Sequence, residues 1–164
     1  MRQQAGQLLW CILAVLIMGA MTPNVGQAQT TTRVSVDPQG KDANGPSGES
    51  ALSADGRYVV FGSNASNLVA GVENQKGDVF LYDRSTGETT RVSVGQQGGN
   101  PDGYSLMPTI SADGRFVAFV SQATNLVPED NNQRLDVFVY DRTMGTTKRV
   151  SVGPMGEEMN KDSI

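Results

Sequence analysis

The chain has 164 residues, 13 basic against 17 acidic side chains, a net charge of −4, no histidine and one cysteine. No basic cluster occurs, which excludes a nucleic-acid backbone as partner, and so mild an acidic balance serves solubility. Without imidazole, any site must be built from carboxylates, amides, hydroxyls, backbone groups, Arg or Lys.

The first element in chain order stands apart from the rest. Arg2 lies in a short polar start, Leu8 to Ala20 form an unbroken small and apolar run, and Pro23 precedes Gly26-Gln27-Ala28. These are the three regions of a secretory signal peptide over residues 1–28, with small residues flanking a cleavage point after Ala28. Ala20 offers an earlier point. The alternative is an uncleaved anchor, although about 13 apolar residues are short for a span. Cys11 follows bulky Trp10 where a lipidated cysteine wants a small neighbour, so lipidation is not expected. The expected product is secreted or periplasmic, lacks cysteine and has no membrane contact once the signal is removed.

From about residue 29 the chain repeats itself. Ser53-Ala54-Asp55-Gly56-Arg57 returns as Ser111-Ala112-Asp113-Gly114-Arg115, and Asn67-Leu68-Val69 as Asn125-Leu126-Val127. Asp78-Val79-Phe80-Leu81-Tyr82-Asp83-Arg84 returns as Asp136-Val137-Phe138-Val139-Tyr140-Asp141-Arg142. Each pair is 58 residues apart, and Arg-Val-Ser-Val occurs in the same phase at Arg33, Arg91 and Arg149.

Each unit reads as four short strands. The first ends near Leu52 or Ile110, and the Asp-Gly that follows signals a tight turn. Arg57 to Ser63 and Asp78 to Asp83 come next, with Arg115 to Ser121 and Asp136 to Asp141 as their counterparts. These are nearly continuous apolar runs, the pattern of strands covered on both faces. Thr89 to Val94 and Thr147 to Val152 alternate polar and apolar residues and read as outer strands with one wetter face. A sheet apolar on both sides is buried by radial stacking, which predicts an all-β chain of propeller blades in preference to a sandwich or solenoid.

Ser-Ala-Asp-Gly-Arg-Phe-Val-Ala-Phe over 111–119, followed by Asp-Val-Phe-Val-Tyr-Asp-Arg over 136–142, resembles the TolB-like, or WD-like, β-propeller repeat of exported bacterial proteins. The resemblance covers essentially the whole chain after residue 28 and implies a propeller. That group includes periplasmic binding partners, enzyme-associated propellers and secreted proteins of other kinds, so the fold alone transfers no activity.

Propellers typically have four to eight blades. The units counted here are a leading outer strand (29–36), a first blade (37–94), a second blade (95–152) and the start of an unfinished third unit (153–164). This incomplete ring of about two and a third blades reads as a fragment of a longer protein, with a ring shared among several chains as the alternative. The leading strand, Thr31 to Val36, would complete the last blade of a closed ring. Uncovered blade faces make self-association an expectation.

Residues that recur in every unit serve the blade, whereas a site-specific residue has no reason to recur. Asp55 and Asp113 therefore read as turn formers, Asp78, Asp83, Asp136 and Asp141 as turn or edge hydrogen-bonders, and Arg91 and Arg149 as surface residues. The one candidate metal set is Asp130, Asn132 and Asp136, whose oxygens could line a loop for calcium. It departs from an EF-hand, and Val72 stands where the first unit would need the acid, so a solvated loop is preferred and no cofactor is expected. Asn64-Ala65-Ser66 fits a glycosylation sequon whose mate is Gln122-Ala123-Thr124. The glycines from Gly95 to Gly103 lack a following lysine and helix and read as loops. Glu157 and Glu158 are paired carboxylates in the unfinished unit. The leading reading is an exported, non-catalytic scaffold that binds a protein or an extracellular polymer. Its rivals are the propeller part of a secreted hydrolase or lyase with an active site elsewhere, and a calcium-stabilised structural propeller.

Overall fold

A computed structural model describes residues 30–73, 76–157 and 161–163. The signal-peptide segment, Asn74, Gln75 and Glu158 lie outside the described residues. Eight strands form two antiparallel sheets, in the order β1-β2-β3-β4 and β5-β6-β7-β8. The first sheet comprises β1 (Ser47–Leu52), β2 (Tyr58–Ser63), β3 (Asp78–Asp83) and β4 (Glu88–Arg91). The second comprises β5 (Ser105–Ile110), β6 (Phe116–Ser121), β7 (Asp136–Asp141) and β8 (Thr146–Arg149). A 3-10 turn, Gln96–Gly98, lies between them in sequence. Each sheet is a simple meander, and the two stack face to face in the manner of propeller blades.

Period-two alternation explains the stacking. One side of blade 1 carries Tyr58 and Val60 of β2 with Val79 and Leu81 of β3, and it packs on Val117, Phe119 and Phe138 of blade 2. The opposite side of blade 1, with Phe61 and Phe80, is closed by Ala65, Leu68, Val72 and the leading residues Val34 and Ala43. Phe61 stacks on Phe80 at a centroid distance of 5.8 Å, and Phe119 on Phe138 at the same distance. The inner strands of blade 1 are thus covered on both faces. Blade 2 is covered on one, and Ala118, Val137 and Val139 on its other face remain partly exposed.

One expectation is corrected. The outer strands end at Arg91 and Arg149 rather than at Val94 and Val152, because a side chain takes over the ladder. The Ser93 hydroxyl accepts the Val79 N–H at 3.0 Å and donates to Asp78 at 2.8 Å, and Ser151 does the same for Val137 and Asp136. The leading segment forms no strand beyond an isolated bridge between Val36 and Asp42. No neighbouring strand among the described residues pairs with Thr31 to Val36, and the segment contributes through Val34 as core instead.

The Asp-Gly turns behave as expected. Asp55 accepts from the Ser53 hydroxyl and the Arg57 amide, while Gly56 takes a φ of +67°. Gly114, at +71°, has a second role. A Cβ there would meet the Tyr58 ring of blade 1 at 2.4 Å, and that ring also lies under the Arg142 guanidinium at 4.2 Å. A Cβ at Gly56 meets nothing closer than Arg84 at 3.5 Å.

The two glycines therefore separate backbone strain from packing. Gly56→Ala should cost about 1 kcal/mol from its left-handed φ alone, and Gly114→Ala about 3 kcal/mol because the blade interface must also shift. Urea unfolding of both variants measures the difference; equal losses would show that Tyr58 does not seat against Gly114.

Candidate functional site

Each blade contains a buried polar knot that the sequence reading placed at the surface. The Arg91 and Arg149 side chains are only 9% and 8% exposed, because Arg91 is turned under the loop of Gly99 and Asn100 and Arg149 under that of Glu129 and Asp130. In blade 1, Arg91 bonds Asn100 Oδ1 at 2.5 Å and approaches Asp78 at 3.8 Å. Asp78 is fully buried, and its Oδ2 has no hydrogen-bond partner. Desolvation pushes its carboxyl up to about 6, against the opposing pull of Ser93 and Arg91.

Blade 2 arranges the same residues differently. The calcium candidates Asp130, Asn132 and Asp136 do come together, around the Arg149 guanidinium. Arg149 lies 3.1 Å from Asp130 and 3.7 Å from Asp136, and Asn132 donates to Asp136 at 3.3 Å. Asp130 is buried rather than solvated. Its mate, Val72, joins the apolar core of blade 1. An arginine thus supplies the positive charge that a cation would bring. No group of three or more acidic residues among those described is arranged to hold a metal.

The other recurring acids are structural. Arg57 grips Asp83 with Nε at 3.0 Å and Nη2 at 2.8 Å, and Arg115 grips Asp141 likewise. The arginine hydrogen bond holds each of these carboxyls below the usual range. Hydroxyl bonds from Ser53 and Ser111 lower Asp55 and Asp113.

A different place gathers residues that do not recur. A cleft of about 480 Å³ opens between the first strands of the two blades. Its floor is scaffold: Ser47 bonds Ser63 at 2.8 Å, Ser105 bonds Ser121 at 2.9 Å, and the Ser105 amide donates to Gly77 at 2.7 Å. Its rim is made by Glu49, Asn64, Tyr104 and Leu106, whose mates are Met107, Gln122, Pro46 and Gly48. β1 and β5 each carry a bulge, where Glu49 (φ +48°) and Met107 (φ +54°) take the left-handed conformation. The Glu49 carboxylate crosses the cleft to accept the Met107 amide at 2.7 Å. Sequence reasoning missed this site; the available signal was departure from the repeat at four positions, which needs the fold to show that they converge.

No protein-family model matches the chain. It is 28% identical over 102 residues to dipeptidyl-peptidase 5 of Porphyromonas gingivalis, a match covering 62% of this chain and 14% of that protein. Among solved structures, TolB from Acinetobacter baumannii aligns at 20% identity and a TM-score of 0.42, over 65% of this chain and 21% of its own. A protein described as TolB from Agrobacterium tumefaciens aligns at 20% identity and a TM-score of 0.45, over 66% and 31%. Both solved neighbours are TolB proteins. In each comparison the matched region is less than a third of the other protein.

The polar knots yield two expected outcomes. Because the Asp78 carboxyl is raised from 3.8 to about 6, its protonation favours the folded state; that contribution is complete below 3.8 and lost as pH climbs through about 6. The stability gap between Asp78→Asn and the unsubstituted protein should therefore shift in favour of the variant by on the order of 2 kcal/mol between acidic and neutral pH. A gap that does not change with pH would contradict the burial of an ionisable carboxyl. At Asp130, melting curves in calcium and in chelator should coincide. Asp130→Ala should lower both alike, by about 3 kcal/mol, because it removes the nearer of the two carboxylates that face the buried Arg149 guanidinium; a calcium-dependent rise in melting temperature would restore the metal reading.

Proposed function

We propose that this protein is an exported, non-catalytic propeller module that holds an extended segment of a protein partner in the cleft between its blades. The convergence of Glu49, Asn64, Tyr104 and Leu106 carries the reading. An acid, an amide, a phenol and an aliphatic side chain meet there over a floor whose paired serines recur. Such a mix suits recognition, with the amide and phenol orienting a chain and Leu106 giving an apolar seat. Among the described residues β1 pairs only with β2, so its other edge offers backbone groups beside the cleft. This favours a polypeptide over an extracellular polymer without amide groups. Export rests on the three-part pattern of residues 1–28. Calcium stabilisation has less support, since Arg149 already neutralises Asp130.

A second reading draws on the peptidase match: the blades would be one part of a larger secreted hydrolase whose reacting groups lie elsewhere. Both readings are tested by a photo-crosslinking residue at Leu106 in cells that make the protein. The binding reading expects a discrete protein adduct that falls about tenfold on Asn64→Ala, with unchanged melting. Adducts spread over abundant proteins and indifferent to that substitution would contradict it. Turnover of dipeptide p-nitroanilides by a longer protein that contains these blades, with none by residues 29–164 alone, would favour the hydrolase.

A further inference from the structure

Three glycines line the cleft, and the repeat shows what each one replaces. Gly48, Gly62 and Gly77 stand in blade 1 where blade 2 carries Leu106, Val120 and Leu135. Gly48 and Gly62 are register partners on β1 and β2, and Gly77 directly precedes β3. Glycine weakens a strand, so inside one it marks a bulge or the close approach of another group. None of the three has a positive φ. A Cβ at Gly48 would meet nothing within 4 Å, and one at Gly62 only the end of the Glu49 side chain and the Gly48 carbonyl, both at 3.7 Å. Neither backbone conformation nor packing within the chain calls for glycine at 48 or 62. What the two positions provide is room.

Acceptors stand beside this bare wall. Glu49 Oε2 lies 3.7 Å from the Cβ position of Gly62, and Asn64 Oδ1 lies 3.1 Å from that of Gly77. The bond from the Met107 amide to Oε2 holds the carboxylate across the cleft and leaves Oε1 for another donor. Among the described residues no basic side chain forms an ion pair with Glu49, and none lines the cleft. Lys76, next to Gly77 in sequence, donates to the Asp102 carbonyl instead.

We infer that the cleft takes an arginine or lysine side chain of the bound segment, laid along Gly48 and Gly62 with its cationic head on Glu49; this rests on the reading of the cleft as a seat for a partner's polypeptide. A long methylene stem needs a wall free of side chains, and Leu106 on the β5 side gives it an apolar surface. The head carries donors alone, which match the free oxygen of Glu49 and Oδ1 of Asn64. An acidic side chain would be repelled by the same carboxylate, and an apolar one would leave that charge unpaired.

Retention of nonapeptide pools on the immobilised protein tests this. Each pool has one fixed central residue, Arg, Lys, Glu or the uncharged isostere citrulline, among mixed uncharged residues, with acetylated and amidated ends so that only the central side chain carries charge. The Arg and Lys pools should be retained about tenfold better than the citrulline pool, and the Glu pool least. Glu49→Gln keeps an acceptor for the Met107 amide and removes the charge, so it should bring the Arg, Lys and citrulline pools level. Gly48→Leu fills the wall at a position with open space, and should abolish retention of every pool while circular dichroism stays unchanged. If Glu49→Gln fails to fold, high salt on the unsubstituted protein takes its place and should shrink the same advantage. Equal retention of the four pools, retention of none, an advantage that survives removal or screening of the charge, or retention indifferent to Gly48→Leu would each overturn the inference. Where the Leu106 adduct persists beside such a result, the protein-partner reading stands without this one; loss of the adduct removes both.

Discussion

Two antiparallel sheets meet through Tyr58, Val60, Val79 and Leu81 on one side and Val117, Phe119 and Phe138 on the other, and this dry contact decides where everything else must go. Removing such surface from water is the dominant favourable term in folding. It also requires that the polar groups of the inner strands be satisfied without solvent. That is why the serine hydroxyls of Ser93 and Ser151 end the outer ladders, and why an arginine is drawn beneath each blade to face a buried aspartate.

The same contact produces the cleft. Holding the blades face to face brings β1 and β5 side by side, and their bulges keep the two edges from pairing continuously. Glu49 spans the gap to the Met107 amide, so the one acid on the rim is also a link between blades. A scaffold of recurring hydroxyls and amides leaves the rim free to vary. The vocabulary of that rim is recognition chemistry: one charge, one amide, one phenol and one aliphatic side chain.

β3 and β7 were legible to the residue, β2 and β6 to within one. Asp78–Asp83 and Asp136–Asp141 stand where the exact 58-residue phase and the apolar runs placed them. The turns were legible because Asp-Gly permits few backbone conformations. Arg91 and Arg149 were misread because alternation along a strand reports which face a residue takes, not what loop later closes over that face. Recurrence in phase with Asp78, Ser93 and their mates was the overlooked hint. The calcium candidates share one loop in the sequence, but Arg149 lies thirteen or more residues away and only the fold brings it among them.

If one shared core holds the two blades, they cannot unfold separately. Differential scanning calorimetry of the dilute protein reads this directly. A single transition whose calorimetric enthalpy equals its van 't Hoff enthalpy is the predicted result. Two resolved transitions, or a calorimetric enthalpy about twice the van 't Hoff value, would mean that each blade stands alone and that the contact between them is incidental.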